Sequence, residues 1–243
     1  MRTLGIDLAS QPKKTAAASI EWDAEIAQVR LARARLRDAE LLELAASHDH
    51  VGIDSPFGWP RPFVEFVQAH RGAALPEHDW ADALSRSLRL RTTDLRVHER
   101  SGKYPLSVSS DMVALIAMRC ATLLAKLGVT DRSGAGKVVE VYPGASLRVW
   151  QLAGKIKASD AELLARLLAR TSEWLRWDDA ALAACHASRD CFDAVVASLI
   201  TRAAALGLTH PPSPDEVELA REEGWIALPI AGSLERLCQP PTQ

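Results

Sequence analysis

Short apolar runs near the start of the chain give way to long helical stripes toward its end. Residues 3–8 are mostly apolar and are stopped by Ser10, Gln11 and Pro12, which predicts a first strand. Across 15–22, Ala16, Ala18, Ile20 and Trp22 alternate with Thr15, Ala17, Ser19 and Glu21, predicting a second strand with one buried face. Across 25–37, Arg33, Arg35 and Arg37 alternate with Ala32, Ala34 and Leu36, so a third strand with a solvated face is expected. Its phase slips near Leu31, which marks a β-bulge. Asp38 opens a helical stripe of Leu41, Leu42, Leu44 and Ala45 that ends at His48-Asp49-His50. Residues 51–54 then form a compact apolar strand closed by Ser55-Pro56.

From 57 to 109 the periodicity weakens, and Pro60, Pro62, Gly72, Pro76 and Pro105 punctuate it. This stretch reads as an inserted, mostly helical segment with short helices at 62–70 and near 79–88. A strong helix is expected over 110–127, capped by Ser109, carrying Met112, Leu115, Ile116, Met118, Leu123 and Leu127 on its apolar face. An apolar strand at 138–142 ends at Pro143-Gly144. Ser159 and Glu162 form a capping box that opens a helix to about Arg170, and a further helical stretch follows. The clearest helix is 190–206, with Phe192, Val195, Val196, Leu199, Ile200 and Ala203 at helical spacing and Gly207 as its stop. A second box, Ser213 with Glu216, precedes a short helix, and the last six residues read as frayed. The expectation is one α/β domain over 1–243, with an insertion at about 57–109.

Composition changes this picture little. With 243 residues, 48% of them hydrophobic and 25% charged, the chain is long enough to bury a core as one elaborated domain. A net charge of -2 and a pI near 6.4 give no global attraction for nucleic acid, so any polyanion has to be held locally. Cys120, Cys185, Cys191 and Cys238 show no C-x-x-C spacing, which argues against a disulfide framework or zinc site. No apolar stretch approaches a membrane span, and the chain enters its first strand without a signal-peptide pattern, so a cytoplasmic protein is expected.

Four acids carry the candidate chemistry. Asp7 lies near the end of the first strand, and Asp54 ends the strand after the first helix; as neighbours in a mixed sheet their side chains could converge. Asp190 and Asp193 are three residues apart on a helix, about 60° around its axis, and point the same way. Converging carboxylates repel unless a hard cation with oxygen ligands lies between them. Each acid also has an ordinary structural role open to it. Asp54-Ser55-Pro56 is a turn sequence, Asp190 suits a helix N-terminus, and Asp193 suits a surface.

Auxiliary candidates are Glu140, Arg91, Asp94 and His186. Glu140 sits in an apolar strand, where it needs either a site role or a buried ion pair. Arg91 serves either as a phosphate contact or as a local partner for a carboxylate such as Asp94. It belongs to the densest basic segment, with Arg86, Arg89, Arg96, Arg100 and Lys103, which is where phosphate contact is expected. His186, one turn before Asp190, is either a proton shuttle or a helix-end histidine. Trp59 and Trp225 are either base-stacking or buried aromatics. Gly134-Ala135-Gly136-Lys137 lacks the first glycine and the Ser/Thr of a phosphate-binding loop and leads into a strand, so it is a turn. No H-E-x-x-H motif and no serine elbow occurs, which excludes those hydrolases.

Gly5-Ile6-Asp7, the three-strand meander, Asp54 and His186-x-x-x-Asp190-x-x-Asp193-Ala194 on the last main helix follow the order of the ribonuclease-H-like superfamily; the last motif resembles the Holliday-junction resolvases. More narrowly, Gly52-Ile53-Asp54-Ser55-Pro56, Arg91-x-Thr93-Asp94, Glu140-Val141-Tyr142-Pro143 and Glu223-Gly224-Trp225-Ile226 resemble the uncharacterised predicted-nuclease family known as domain of unknown function family 429. This resemblance implies a ribonuclease-H-like mixed five-stranded sheet, a three-strand meander plus two further strands, flanked by helices. It implies Asp7, Asp54 and Asp193 as metal ligands with Asp190 as a fourth, and Asp54 stands where the superfamily usually carries a longer Glu. It further implies two Mg²⁺ or Mn²⁺ ions and a phosphodiesterase whose metal-bound water leaves a 3′-hydroxyl and a 5′-phosphate. Nucleic acid or a nucleotide is then the expected substrate, with RNA, DNA, a junction and a small nucleotide all open. Two alternatives stand beside it: a non-catalytic nucleic-acid or protein interaction module on the same fold, and an actin-like nucleotide binder, for which no second Gly-rich phosphate loop is present.

Overall fold

The computed structural model describes residues 1–74, 80–154, 156 and 158–238. Pro76, the start of the helix expected near 79 and nearly all of the expected frayed terminus lie outside the described residues. The chain forms a mixed sheet flanked by helices. Strands β1 (Arg2–Asp7), β2 (Ala16–Trp22) and β3 (Ala27–Ala34) make an antiparallel meander. After helix α1 (Asp38–Ala46), β4 (His50–Asp54) returns parallel to β1. The expected bulge is present: Ser19 pairs with Leu31 but Ile20 pairs with Val29, which leaves Arg30 as the extra residue.

Three helices follow β4: α2 (Arg61–Arg71), α3 (Asp82–Arg89) and α4 (Thr92–Ser101). Helix α5 (Val113–Lys126) starts later than its sequence pattern predicts, because Ser109 does not cap it; the Ser109 hydroxyl donates to the Leu88 carbonyl at 2.6 Å. Strand β5 (Val138–Glu140) pairs parallel to β4, and helix α6 (Pro143–Val149) begins directly behind it. Helix α7 (Asp160–Thr171) carries the expected Ser159–Glu162 capping box. A sixth strand, β6 (Leu175–Trp177), then adds parallel to β3, giving the order β5-β4-β1-β2-β3-β6. Among the described residues the sheet therefore has six strands, not the five expected. Helices α8 (Asp179–Ala187), α9 (Arg189–Ala205) and α10 (Val217–Glu223) complete the chain.

Each face of the sheet has its own core. Leu4, Ile6, Val51 and Ile53 pack with Leu41 of α1 and Leu123 of α5 on one face. On the other face α9 lies over β1, β2 and β4 and buries Phe192, Val195, Val196, Leu199 and Ile200. Two glycines decide how closely α9 sits. Gly5 and Gly52 are register partners, and a Cβ at Gly5 would lie 2.1 Å from the Ala194 carbonyl oxygen, one at Gly52 2.0 Å from Thr201 Oγ1. Only bare backbone admits the helix at this distance. No helix among the described residues is long and apolar enough to cross a membrane.

Candidate functional site

The tripeptide Gly-Ile-Asp occurs twice, and the sheet sets the two copies in register: Gly5 beside Gly52, Ile6 beside Ile53, Asp7 beside Asp54. Alternation along a strand places each aspartate on the same face as its glycine, the face covered by α9. The glycines thus bring the N-terminal turn of α9 down onto the two carboxylates. Asp193 sits in that turn region, and its charge is felt by both Asp7 and Asp54, while that of Asp190 is felt by Asp7.

Burial leaves these acids poorly disposed to ionise. The Asp7 carboxyl is pushed up to about 9, first by burial and then by Asp54, Asp193 and Asp190. Asp54 is held well above the usual carboxylate range by burial, with Asp193 and Glu140 adding to it. Asp193 is also raised by burial, although Arg189 opposes the shift. Arg189 Nε donates to Asp193 Oδ2 at 2.7 Å, and Arg189 Nη1 reaches Asp160 Oδ1 at 2.7 Å. The other oxygen, Asp193 Oδ1, is buried without a hydrogen-bond partner. Asp7 and Asp54 line a cavity of about 220 Å³ with Tyr142, Leu106 and Ile116. A larger cavity of about 570 Å³, between α1, the end of α5 and β5, holds none of these acids and has no claim on their chemistry.

Among the described residues no three acids, histidines or cysteines stand at metal-ligand spacing. The donor set nevertheless suits a hard cation. It offers carboxylate oxygens only, one of them an orphan in the interior, and the acids repel one another. Asp193 has to loosen from Arg189 to add its second oxygen.

A second buried cluster lies beside the first and has the opposite character. Arg91, only 2% exposed, binds Asp94 through Nη2 at 2.9 Å and Glu140 through Nη1 and Nη2 at 2.9 and 2.7 Å. Glu140 also accepts from the Phe57 amide at 2.9 Å, and Arg91 Nη1 donates to the Glu223 carbonyl at 3.0 Å. Burial alone would lower the Arg91 pKa, but Asp94 and Glu140 outweigh it and raise it, so the guanidinium is locked in its charged form. Thr93 and Glu223 belong to the same cluster: Thr93 Oγ1 accepts from the Ile226 amide, and Glu223 accepts from the amides of Arg61 and Thr92. Gly224, at φ +91°, passes so close that a Cβ would meet Glu140 Oε2 at 2.6 Å.

The auxiliary candidates divide by position. Arg91 is almost fully buried with Asp94 and Glu140 as its partners, and it and Glu140 line the same cavity as Asp7 and Asp54. His186 is on α8, not on the helix of Asp190 and Asp193, because Ser188 breaks the two apart and caps α9; the histidine is exposed. Trp225 is buried with its indole N–H on the His210 carbonyl, and Trp59 lines a separate cavity with Arg61. Arg96 of the basic segment is taken by Glu99 and Glu216.

One residue of the site, Arg189, went unnamed in the sequence analysis. Arg189 stands four positions before Asp193, an ion-pair spacing that was open to inspection. Tyr142 was visible only as part of the Glu140-Val141-Tyr142-Pro143 motif, and Lys103 only as the end of the basic segment where phosphate contact is expected. Lys103 lies just beyond α4 and projects toward the acids, where burial lowers its pKa, with Arg148 adding to the effect while Asp193 and Asp54 oppose it.

The model of the family described as a protein of unknown function, DUF429, matches residues 5–217. The chain belongs to DUF429. The matched span covers both Gly-Ile-Asp strands, the Arg91 segment and α9, so the DUF429 region contains all four aspartates. It stops short of Glu223 and Gly224, which close the Arg91 cluster of this DUF429 member from outside the matched span. No curated protein and no solved structure matches the chain.

Proposed function

We propose that this DUF429 protein is a divalent-metal-dependent phosphodiesterase, a nuclease of ribonuclease-H-like type. One observation carries the reading: Asp7 and Asp54 are register partners under the start of α9, beside a carboxylate whose buried Oδ1 has no partner. An uncompensated set of acids in a stable core is a strained arrangement, and such strain concentrates at functional sites. The meander with β4 and β5 parallel to β1 also suits a ribonuclease-H-like sheet, to which β6 is an addition.

Asp7, Asp54 and Asp193 would hold the ions, with Asp190 at the edge. Mg²⁺ or Mn²⁺ bound there would supply Lewis acidity to a phosphoryl oxygen and make a coordinated water more acidic than bulk water. The protein's own contribution is placement. The Gly5–Gly52 pair fixes the height of α9 over the strand ends, the Arg189 pair holds Asp193 until it is needed, and the apolar wall of Leu106 and Ile116 limits water on one side of the cavity. The net charge of -2 favours a second reading, a module that keeps the acids for structure and binds a partner without cutting it.

Incubation with Mn²⁺ and a panel of RNA, DNA, hybrid and branched substrates separates the two. Cleavage by the wild type and its loss in Asp7→Asn is the expected result. An uncut panel, or an Asp7→Asn variant as active as the wild type, eliminates the enzyme reading.

A further inference from the structure

We propose that Lys103 is a substrate-binding residue, whose ammonium grips a non-bridging oxygen of the phosphodiester lying over Asp7 and Asp54. This deepens the phosphodiesterase reading and rests on it for the identity of the anion. It gives the segment between β4 and α5 a purpose: to deliver one cation to a site otherwise built of acids.

The lysine is positioned, not trailing. It follows the left-handed residue Gly102 that ends α4, and α4 is itself pinned to the core by the Arg91 cluster at its start and by buried Val97. Arg148 Nη1 donates to the Gly102 carbonyl at 3.1 Å, which fixes the turn from the other side. The ammonium lies over the Tyr142 ring, 5.2 Å from its centroid, and Tyr142 lines the same cavity as Asp7 and Asp54. The backbone leaves room for it: a Cβ at Gly144 would stand 2.3 Å from Lys103 Nζ.

Its pairing is what sets it apart. Arg91, Arg119 and Arg189 each hold a carboxylate, and Arg148, which forms no ion pair among the described residues, is spent on the Gly102 carbonyl. Among the described residues Lys103 forms no ion pair, although Asp54 and Asp193 are the acids that act on it. A half-buried ammonium facing carboxylates without touching them leaves a gap of the right polarity for an anionic oxygen. As a compact point charge with three donors, lysine suits a phosphate that has to arrive and leave.

The test is binding of a short phosphorothioate oligothymidylate, labelled with fluorescein, to the full chain in millimolar Ca²⁺, read by anisotropy over a salt series. Lys103→Gln is expected to weaken binding about tenfold and to flatten the slope of log K against log salt by roughly 0.7, the value for one lost contact to a single strand. Lys103→Arg should keep the slope. Gly144→Ala keeps the charge but displaces the flexible end of the lysine, so it should fall between wild type and Lys103→Gln; it also carries the test should Lys103→Gln fail to fold. Wild-type affinity and slope in both Lys103→Gln and Gly144→Ala would overturn the proposal, as would a wild type that binds no probe. Lys103-dependent binding by a protein that cuts nothing with Mn²⁺ would retain the anion site and remove the phosphodiesterase reading. Cleavage that needs Asp7 but is indifferent to Lys103 in both kcat and KM would do the reverse.

Discussion

Two clusters of buried acids share the ends of β4 and β5, and they differ in what faces them. Glu140 and Asp94 are met by Arg91, whose guanidinium spends its donors on them and on the Glu223 carbonyl. Asp7 and Asp54, next door, face each other and Asp193, with Arg189 reaching only the last of these. Burial acts on both clusters alike. Burial raises Glu140 too, but Arg91 and the Phe57 amide oppose that shift and make the cluster a structural joint, whereas Asp7 and Asp54 are pushed up further by neighbouring acids. These segments thus divide: Arg91-x-Thr93-Asp94, Glu140 and Glu223-Gly224 build the joint, and the Gly-Ile-Asp strands build the candidate site.

The contrast breaks most visibly at Arg91. Arg91→Ala leaves Glu140 and Asp94 buried without a counter-charge and should destabilise the protein by about 3–5 kcal/mol. Urea denaturation should show this loss, and adding Glu140→Gln to Arg91→Ala should recover part of it by removing one stranded charge. An Arg91→Ala protein as stable as the wild type would mean that the joint is ornamental.

At the aspartates the proposed metal site predicts the opposite response, a gain on adding a cation. Mn²⁺ at a hundred times its dissociation constant should stabilise the wild type by about 2.7 kcal/mol. Thermal melts with and without Mn²⁺ measure this, and Asp7→Asn should shrink the shift. An equal shift in both proteins would place the bound ion elsewhere.

Much of this contrast was hidden from sequence for physical reasons. Helix α9, the meander and the bulge were legible because their burial follows a period that apolar residues report. Helix α4 was not, because its inward positions include Thr93 and Asp94, polar residues that a hydrophobic period cannot register. Strand β6 is three residues long, too short to show alternation. All four aspartates were candidates from the start, but the two Gly-Ile-Asp copies gain meaning only from the register that pairs them, and register is a tertiary fact. Glu140 and Arg91 were open between site and ion pair because both readings need the same residue types.

The smallest expected effects lie in the pH dependence of stability, where two groups pull in opposite directions. In metal-free buffer Asp7 has a folded-state pKa raised from 3.8 to about 9, so the folded state binds the extra proton between those limits. Its contribution is fully present below pH 3.8 and is lost as pH rises through about 9. Asp7→Asn should flatten that decline, whose slope between the two limits is at most about 1.4 kcal/mol per pH unit. His48 behaves inversely. Its ring lies between the Leu44 carbonyl, 2.6 Å from Nδ1, and the Ser19 hydroxyl, 2.6 Å from Nε2, an arrangement satisfied by the neutral tautomer with Nδ1 donating and Nε2 accepting. Burial lowers its pKa from 6.5, so the unfolded chain takes the proton first and stability falls as pH drops below 6.5 toward the folded value. Metal-free wild type should therefore lose a decline below pH 6.5 on His48→Gln and a decline between pH 3.8 and about 9 on Asp7→Asn. If Asp7→Asn left that decline untouched, the aspartates would have to be compensated in the folded protein, and the distinction between joint and site would fail where it is most direct.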